Sequence, residues 1–352
     1  MPSNVPPPPP VPAHPAVPPH PREHRSLALR VGVGIGVVAA LALAGLVTLV
    51  LGVARRDNLP VRDWPVADEE PRSRLVDGVL LRWEEHGEGG VPVVLVHGLP
   101  TSPRLWRRVI PRLQDCHVYA WELVGYGRSI RAGAGRDISV AAQARYLYAW
   151  MRALGLERAV LVGHDLGGGV VQRLAAAHPE HVAGLVLVDS VAFDNWPSPP
   201  VRAARAVRRV LPMLPGPAVH RVFAATLASL GNEDPAVRRE SGRVYWAPYR
   251  STRAGAALAR QLASLDNRDT RATSGFLGGL GVPARVVWGS RDPLDVASGR
   301  RLATLLRAPI DVIEGARHFT PEAHPDVVAS AIQTVVAAVP APAPLIGEPA
   351  PA

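Results

Sequence analysis

Val160-Leu161-Val162-Gly163-His164-Asp165-Leu166-Gly167-Gly168-Gly169 is the stretch on which the fold turns. Its apolar start reads as a buried strand, G-x-D-x-G-G as a sharp turn, and residues 170–178 as a helix. With no Cβ at Gly163 or Gly167, strand and helix can close on a strained turn that pushes the central side chain outward. That side chain is Asp165. A carboxylate presented in this way attacks carbon and becomes an ester.

Outward from the turn, short β-rich runs alternate with helical stretches, which predicts a mostly parallel sheet with helices on both faces. An antiparallel pair is expected over residues 76–85, and strands over 91–96, 118–123, 159–162, 185–189, 284–288 and 310–313. A last helix is expected over 325–338. Between 194 and 275 the alternation stops. That segment is arginine-rich, helical in pattern and interrupted by Pro197, Pro199, Pro200, Pro212, Pro215 and Pro217, so it reads as a helical cap inserted into a core made of residues 73–193 and 276–338.

Four further motifs follow the same strand-end logic. They are His97-Gly98-Leu99-Pro100-Thr101-Ser102, Gly125-Tyr126-Gly127-Arg128-Ser129, Trp288-Gly289-Ser290-Arg291-Asp292 and Gly315-Ala316-Arg317-His318-Phe319. With the aspartate turn, their order makes residues 73–338 resemble the α/β-hydrolase superfamily, in the branch that holds epoxide hydrolases and haloalkane dehalogenases. The resemblance implies a nucleophile, acid and histidine in that chain order.

The chemistry requires each part. An alkyl ester on Asp165 must be hydrolysed to regenerate the carboxylate, and unaided water is a poor nucleophile. His318 is the candidate general base, and Asp292 the carboxylate that orients its imidazole. Attack on the ester builds charge on oxygen, for which the backbone N–H groups of Leu99 and Leu166 are the expected donors. Relatives with H-G-x-P hold that proline peptide cis, so Leu99-Pro100 is expected to be cis. His324 competes with His318 but precedes Pro325 at a helix start, an ordinary capping position. Asp295 is the second choice for the acid, and Asp189 or Asp194 stands where some relatives carry it. His86, His97 and His164 read as loop hydrogen-bonding residues. No histidine spacing resembles a metal site, and the chemistry calls for no cofactor.

The leaving group divides the possibilities. An alkoxide needs a proton donor, whereas a halide needs only N–H groups around it. Haloalkane dehalogenases typically place asparagine after the His-Gly pair and tryptophan after the nucleophile; this chain has Leu99 and Leu166. Epoxide hydrolases use cap tyrosines, and Tyr245 and Tyr249 are the candidates, each equally readable as a packing aromatic. Trp196 and Trp246 are the candidate halide donors. The expectation is an aspartate-nucleophile hydrolase acting on a small hydrophobic organic substrate, epoxide hydrolase-like. Haloalkane dehalogenation is the alternative, and a catalytically silent binding fold the third reading.

At 352 residues and 47% hydrophobic, the chain holds one large domain plus extensions. Its formal charge of +9 does not point to nucleic acid, because all 39 basic residues are arginines dispersed among acids. Cys116 is the single cysteine, so an intrachain disulfide is excluded, and its place beside an apolar strand predicts a buried thiol. Residues 1–30 are proline-rich and read as a solvated tail. Residues 31–54 carry no ionisable side chain and as a helix would span roughly 36 Å, enough to cross a hydrocarbon core of about 30 Å. An uncleaved single-pass membrane anchor is expected there, followed by a linker over 55–72. Three arginines on each side leave the positive-inside rule tied. Residues 339–352 read as a Pro/Ala tail.

Overall fold

The computed structural model describes residues 71–251 and 253–340. The proposed anchor over 31–54 and both proline-rich tails lie outside them, apart from residues 339 and 340. Among the described residues no helix is long and apolar enough to cross a membrane.

Eight strands form one sheet in the order β1-β2-β4-β3-β5-β6-β7-β8. A hairpin of β1 (Arg72–Val76) and β2 (Val79–His86) turns through Asp77 and Gly78, both at positive φ, and pairs antiparallel to β4 (Cys116–Glu122). The remaining strands run parallel: β3 (Val91–Val96) between β4 and β5 (Ala159–Asp165), then β6 (Val182–Ser190), β7 (Ala284–Gly289) and β8 (Ile310–Ile313). Strands covered on both faces read as unbroken apolar runs, which is why β3 and β5 stand out in the sequence.

Side-chain alternation divides the interior into two layers. Val94, Val96 and Leu161 face α1 (Val140–Leu154) and α2 (Leu166–Ala177). Val93, Leu95 and Val162 face the other way, onto Trp106 and Val109 and onto the last helix, whose Val328, Ile332 and Val335 complete that layer. Helix α1 starts where the Ser139 hydroxyl accepts the Ala142 N–H and stops at Gly155 in the left-handed region. Cys116 is a buried free thiol on β4; burial pushes it above its ordinary pKa, and its Sγ donates to the Gln114 carbonyl.

After β6 the chain leaves the sheet for five helices: α3 (Pro199–Ala206), α4 (Gly216–Leu230), α5 (Pro235–Trp246), α6 (Ala254–Ala263) and α7 (Arg268–Thr273). Prolines lie in the first turns of α3, α4 and α5, where their missing N–H groups have no helical partner to lose. Pro199, Pro200, Pro215 and Pro217 thus start helices, while Pro197 precedes α3 and Pro212 lies in the short turn Leu211–Met213. The sheet resumes with β7, followed by α8 (Val296–Leu306), β8, the short α9 (Thr320–Ala323) and α10 (Pro325–Ala337).

Candidate active site

Asp165 ends β5 at φ 49° and ψ −120°, a backbone region that non-glycine residues rarely occupy. Such strain persists only where the surroundings over-determine it. A Cβ on Gly163 would lie 2.5 Å from the Gly167 carbonyl oxygen, and one on Gly167 would overlap the carbonyl oxygens of Val96 and His97. The turn therefore requires both glycines that the sequence offers.

The carboxylate of Asp165 is gripped from one side and faced by the histidine from the other. Its Oδ2 accepts the Leu99 N–H at 2.8 Å, and the Leu166 N–H also bonds the group. Opposite these donors, His318 Nε2 stands 3.7 Å from Asp165 Oδ1. The far nitrogen of the same ring, Nδ1, donates to Asp292 Oδ2 at 2.7 Å. Burial raises the pKa of Asp165, against the lowering effects of His318 and the two N–H groups. For His318, burial alone favours the neutral ring, but Asp292, Asp165 and Asp189 together push it up to about 10. The geometry sets an imidazolium between carboxylates.

The competing assignments separate on distance. Asp295 caps α8 by accepting the Ala297 N–H, so it is not the partner of His318. Asp189 is spent on the Gly289 N–H at 2.8 Å and the Thr320 hydroxyl at 2.5 Å. Burial and the facing Asp292 hold its pKa well above the ordinary carboxylate range. His324 binds Glu233, 2.6 Å away.

Behind the site, two buried histidines fix the loops. His97 Nδ1 donates to Gly98 O while Nε2 accepts the Leu123 N–H, and burial lowers its pKa to about 4. This neutral ring braces the loop carrying Leu99, whose bond to Pro100 is cis. His164 donates from Nε2 to the carbonyl of His318 at 2.7 Å, joining the strained turn to the histidine loop. Glu122 accepts the Arg128 N–H under the Gly125-Tyr126-Gly127 turn, and burial raises its pKa to about 7.

The cap aromatics correct the sequence reading. Tyr245 is not a free proton donor: its hydroxyl donates to Glu322 Oε1 at 2.5 Å. Glu322, on α9 four residues after His318, also binds the Arg107 guanidinium, Asn232 and Ser241, and has no exposure. Arg107 bonds Glu240 of α5 as well. This buried network ties the cap to the histidine loop, and the sequence reading missed it. Arg107 sits among Arg104, Arg108 and Arg112 in the sequence, and Glu322 between Pro321 and Ala323, so no local signal singles out the pair. Trp196 is likewise not a free halide donor, because its indole N–H donates to the Thr270 hydroxyl at 2.8 Å. Trp246 is stacked between His220 and Tyr249. The Tyr249 hydroxyl donates to Gln261 Oε1 at 2.8 Å, and Gln261 in turn donates to Gly125 O, which brings this tyrosine against the Tyr126 turn. Among the described residues no group of histidines, cysteines and acids is arranged to hold a metal ion.

The α/β hydrolase fold family matches residues 91–320, and the chain belongs to that family. Epoxide hydrolase A of Mycobacterium tuberculosis is 40% identical over 141 residues, a stretch covering 39% of this chain and 44% of that protein. A haloalkane dehalogenase of Mycobacterium marinum is 32% identical over 263 residues, covering 68% of this chain and 82% of that protein. Among solved structures, an α/β hydrolase fold protein from Burkholderia ambifaria superimposes with a TM-score of 0.70 at 26% identity, over 78% of this chain and all of the other.

Proposed function

We propose that the chain is a hydrolase that opens epoxides through a covalent ester on Asp165. The observation that carries this reading is the two-sided carboxylate: Oδ2 against the Leu99 N–H at 2.8 Å and Oδ1 toward His318 Nε2 at 3.7 Å. Oδ1 attacks an epoxide carbon, the C–O bond breaks, and the electron pair goes to the departing oxygen. That oxygen takes a proton from Tyr249, the cap tyrosine whose hydroxyl donates to the neutral amide oxygen of Gln261 and turns from it to the departing oxygen. The resulting ester is neutral, which removes one of the anions that raise His318. Its proton affinity falls, and the imidazolium passes its Nε2 proton through water to the tyrosinate, leaving His318 neutral as a general base requires. His318 then takes a proton from water, hydroxide adds to Cγ, and the charge gathers on Oδ2 against the Leu99 and Leu166 N–H groups. Collapse releases the diol and restores the carboxylate, with one water proton on the leaving oxygen and the other on His318, which is again the imidazolium.

Epoxide opening is favoured over halide release by the cap and the loops together. Leu99 and Leu166 bring no side-chain N–H, and the Trp196 indole is committed to Thr270. The name of the 40%-identical relative supports the same choice, and the dehalogenase relative supports the alternative. We also infer that residues 31–54 anchor the chain in a membrane as a single span; release of the intact full-length chain without detergent rejects the anchor.

The decisive measurement is the intact mass of the His318→Gln variant after exposure to a panel of epoxides and haloalkanes. One adduct on Asp165 from an epoxide, retained without turnover, is the expected result. A haloalkane-derived adduct instead reassigns the leaving group, and an unchanged mass with every compound indicates a silent binding fold.

A further inference from the structure

From Asn195 to Asn232 the chain has no acidic residue and five arginines, Arg202, Arg205, Arg208, Arg209 and Arg221. Four of them lie on or just after α3, where the chain also exposes apolar side chains. Val207, Val210 and Met213, three residues apart, are 44%, 45% and 81% exposed. Arg202 and Arg208 bond main-chain carbonyls, of Pro197 and Arg205, which satisfies N–H groups and leaves their charge uncompensated. Isolated exposed apolar residues are ordinary; a run of them framed by cations, in a segment without acids and with Asp266 near Arg205 already paired to Arg268, is not.

An arginine-lined cleft lies along α6. Next to Met213, Leu211 and Pro212 pack against Gly255 of α6. On either side of that glycine, Arg253 and Ala256 line a cavity of about 380 Å³ whose other walls include Arg260, Arg131 and Ile130. Arg260 is fixed by donating to Ile130 O at 2.8 Å, and its Nε is buried without a hydrogen-bond partner. The fixed guanidinium and the aliphatic side chains beside it put positive charge next to hydrocarbon in this wall.

We propose that this face of the cap docks onto an anionic lipid surface, with Val207, Val210 and Met213 entering the interface and the arginines holding lipid phosphates and carboxylates. Apolar side chains ringed by cations are what binds at that boundary, through buried area plus attraction to anionic headgroups. A second copy of the chain is the poorer occupant, because a two-fold contact through this face sets arginines against arginines, and Asp266, the acid near Arg205, is already paired with Arg268. The proposal does not depend on the reaction assigned to Asp165.

The test uses the full chain with Cys116→Ser and Met213→Cys, nitroxide-labelled and reconstituted into vesicles. Accessibility to oxygen and to a nickel chelate reports whether the label sits in lipid or in water. Because the readout belongs to position 213 itself, the way residues 31–54 associate with the bilayer does not enter. In vesicles containing phosphatidylserine the label is expected to be oxygen-accessible and shielded from nickel. With phosphatidylcholine alone, or at high salt, it is expected to return to water. The control Ser330→Cys, exposed on α10, stays aqueous throughout. Adding Arg205→Gln, Arg208→Gln and Arg209→Gln should lower the ratio of docked to undocked label roughly 100-fold, at about five-fold per charge. A label that stays aqueous on anionic vesicles overturns the proposal, as does equal depth on both lipids without a salt effect. Shielding that grows with protein concentration in the absence of lipid overturns it in favour of a protein contact.

Discussion

In the core, polar side chains converge on Asp165; those of the cap are taken up by other partners. The Asp292–His318 pair, the Leu99 N–H and the His97 and His164 braces all meet around the strained turn. Tyr245, Asn232 and Ser241 meet instead on Glu322, Trp196 on Thr270, and Tyr249 on Gln261. A strand end fixes the direction of its next residue through the backbone, so residue type and position together imply a role. A cap helix leaves an aromatic free to use its polar atom wherever the fold needs a partner, so residue type alone implies little.

The sharpest attempt to break this contrast is at the turn itself. Asp165→Asn is expected to lower turnover on the order of 10⁴-fold or more, with the fold intact by circular dichroism. The same variant should lower the pKa of His318 from about 10, since one of the anions favouring its charged form is gone; histidine NMR across pH checks the shift. In the parent chain the folded value lies above the ordinary histidine value of 6.5, so the stability from this group is complete below that pH and lost as pH rises through about 10. An Asp165→Asn chain whose His318 titrates unchanged would separate the two residues.

Glu322→Ala moves the test to the boundary of the two regions. It leaves Arg107 buried beside Glu240 alone, and removing one member of a buried pair costs about 3–5 kcal/mol. Urea unfolding measures the loss, and a change under about 1 kcal/mol would mean that water enters to replace the carboxylate. Within the cap, Tyr249→Phe should slow alkylation by an epoxide on the order of 10²-fold while sparing a haloalkane. Tyr245→Phe, whose hydroxyl serves Glu322, should affect both substrates alike. The reverse pattern would exchange the roles of the two tyrosines. The smallest effect belongs to Trp196→Phe, a loss of about 1 kcal/mol in stability from the missing bond to Thr270, with halide affinity unchanged by fluorescence titration.

The strand positions were legible because short apolar runs between turn residues have few other uses in a chain of this composition. Residues 91–96 and 310–313 are strands as read, and 159–162 extends through Asp165. The antiparallel pair over 76–85 is a hairpin that begins earlier, at Arg72. Asp292 was separable from Asp295 only by structure, since both follow β7 and the helix cap claims one of them. Glu322 was illegible for a different reason. Arg107, its ionic partner, lies 215 positions away, and no local pattern records a bond between segments so distant. Tyr245 was misread for the same reason: its partner is on a helix that the cap does not contain.

The Glu322 network also bears on how such a protein can change over generations. Caps inserted into a common core invite the idea of interchangeable cassettes, traded between relatives to alter what is accepted. Here a transplanted cap must bring Asn232, Glu240, Ser241 and Tyr245 with it, and the recipient must already own Arg107 and Glu322. A donor lacking any one of them delivers an orphaned charge or hydroxyl beside the loop that holds His318. Recombination at the cap boundaries is thus filtered by a handful of residues spread over three segments, and diversification by single substitutions on the cap's free faces is the easier route.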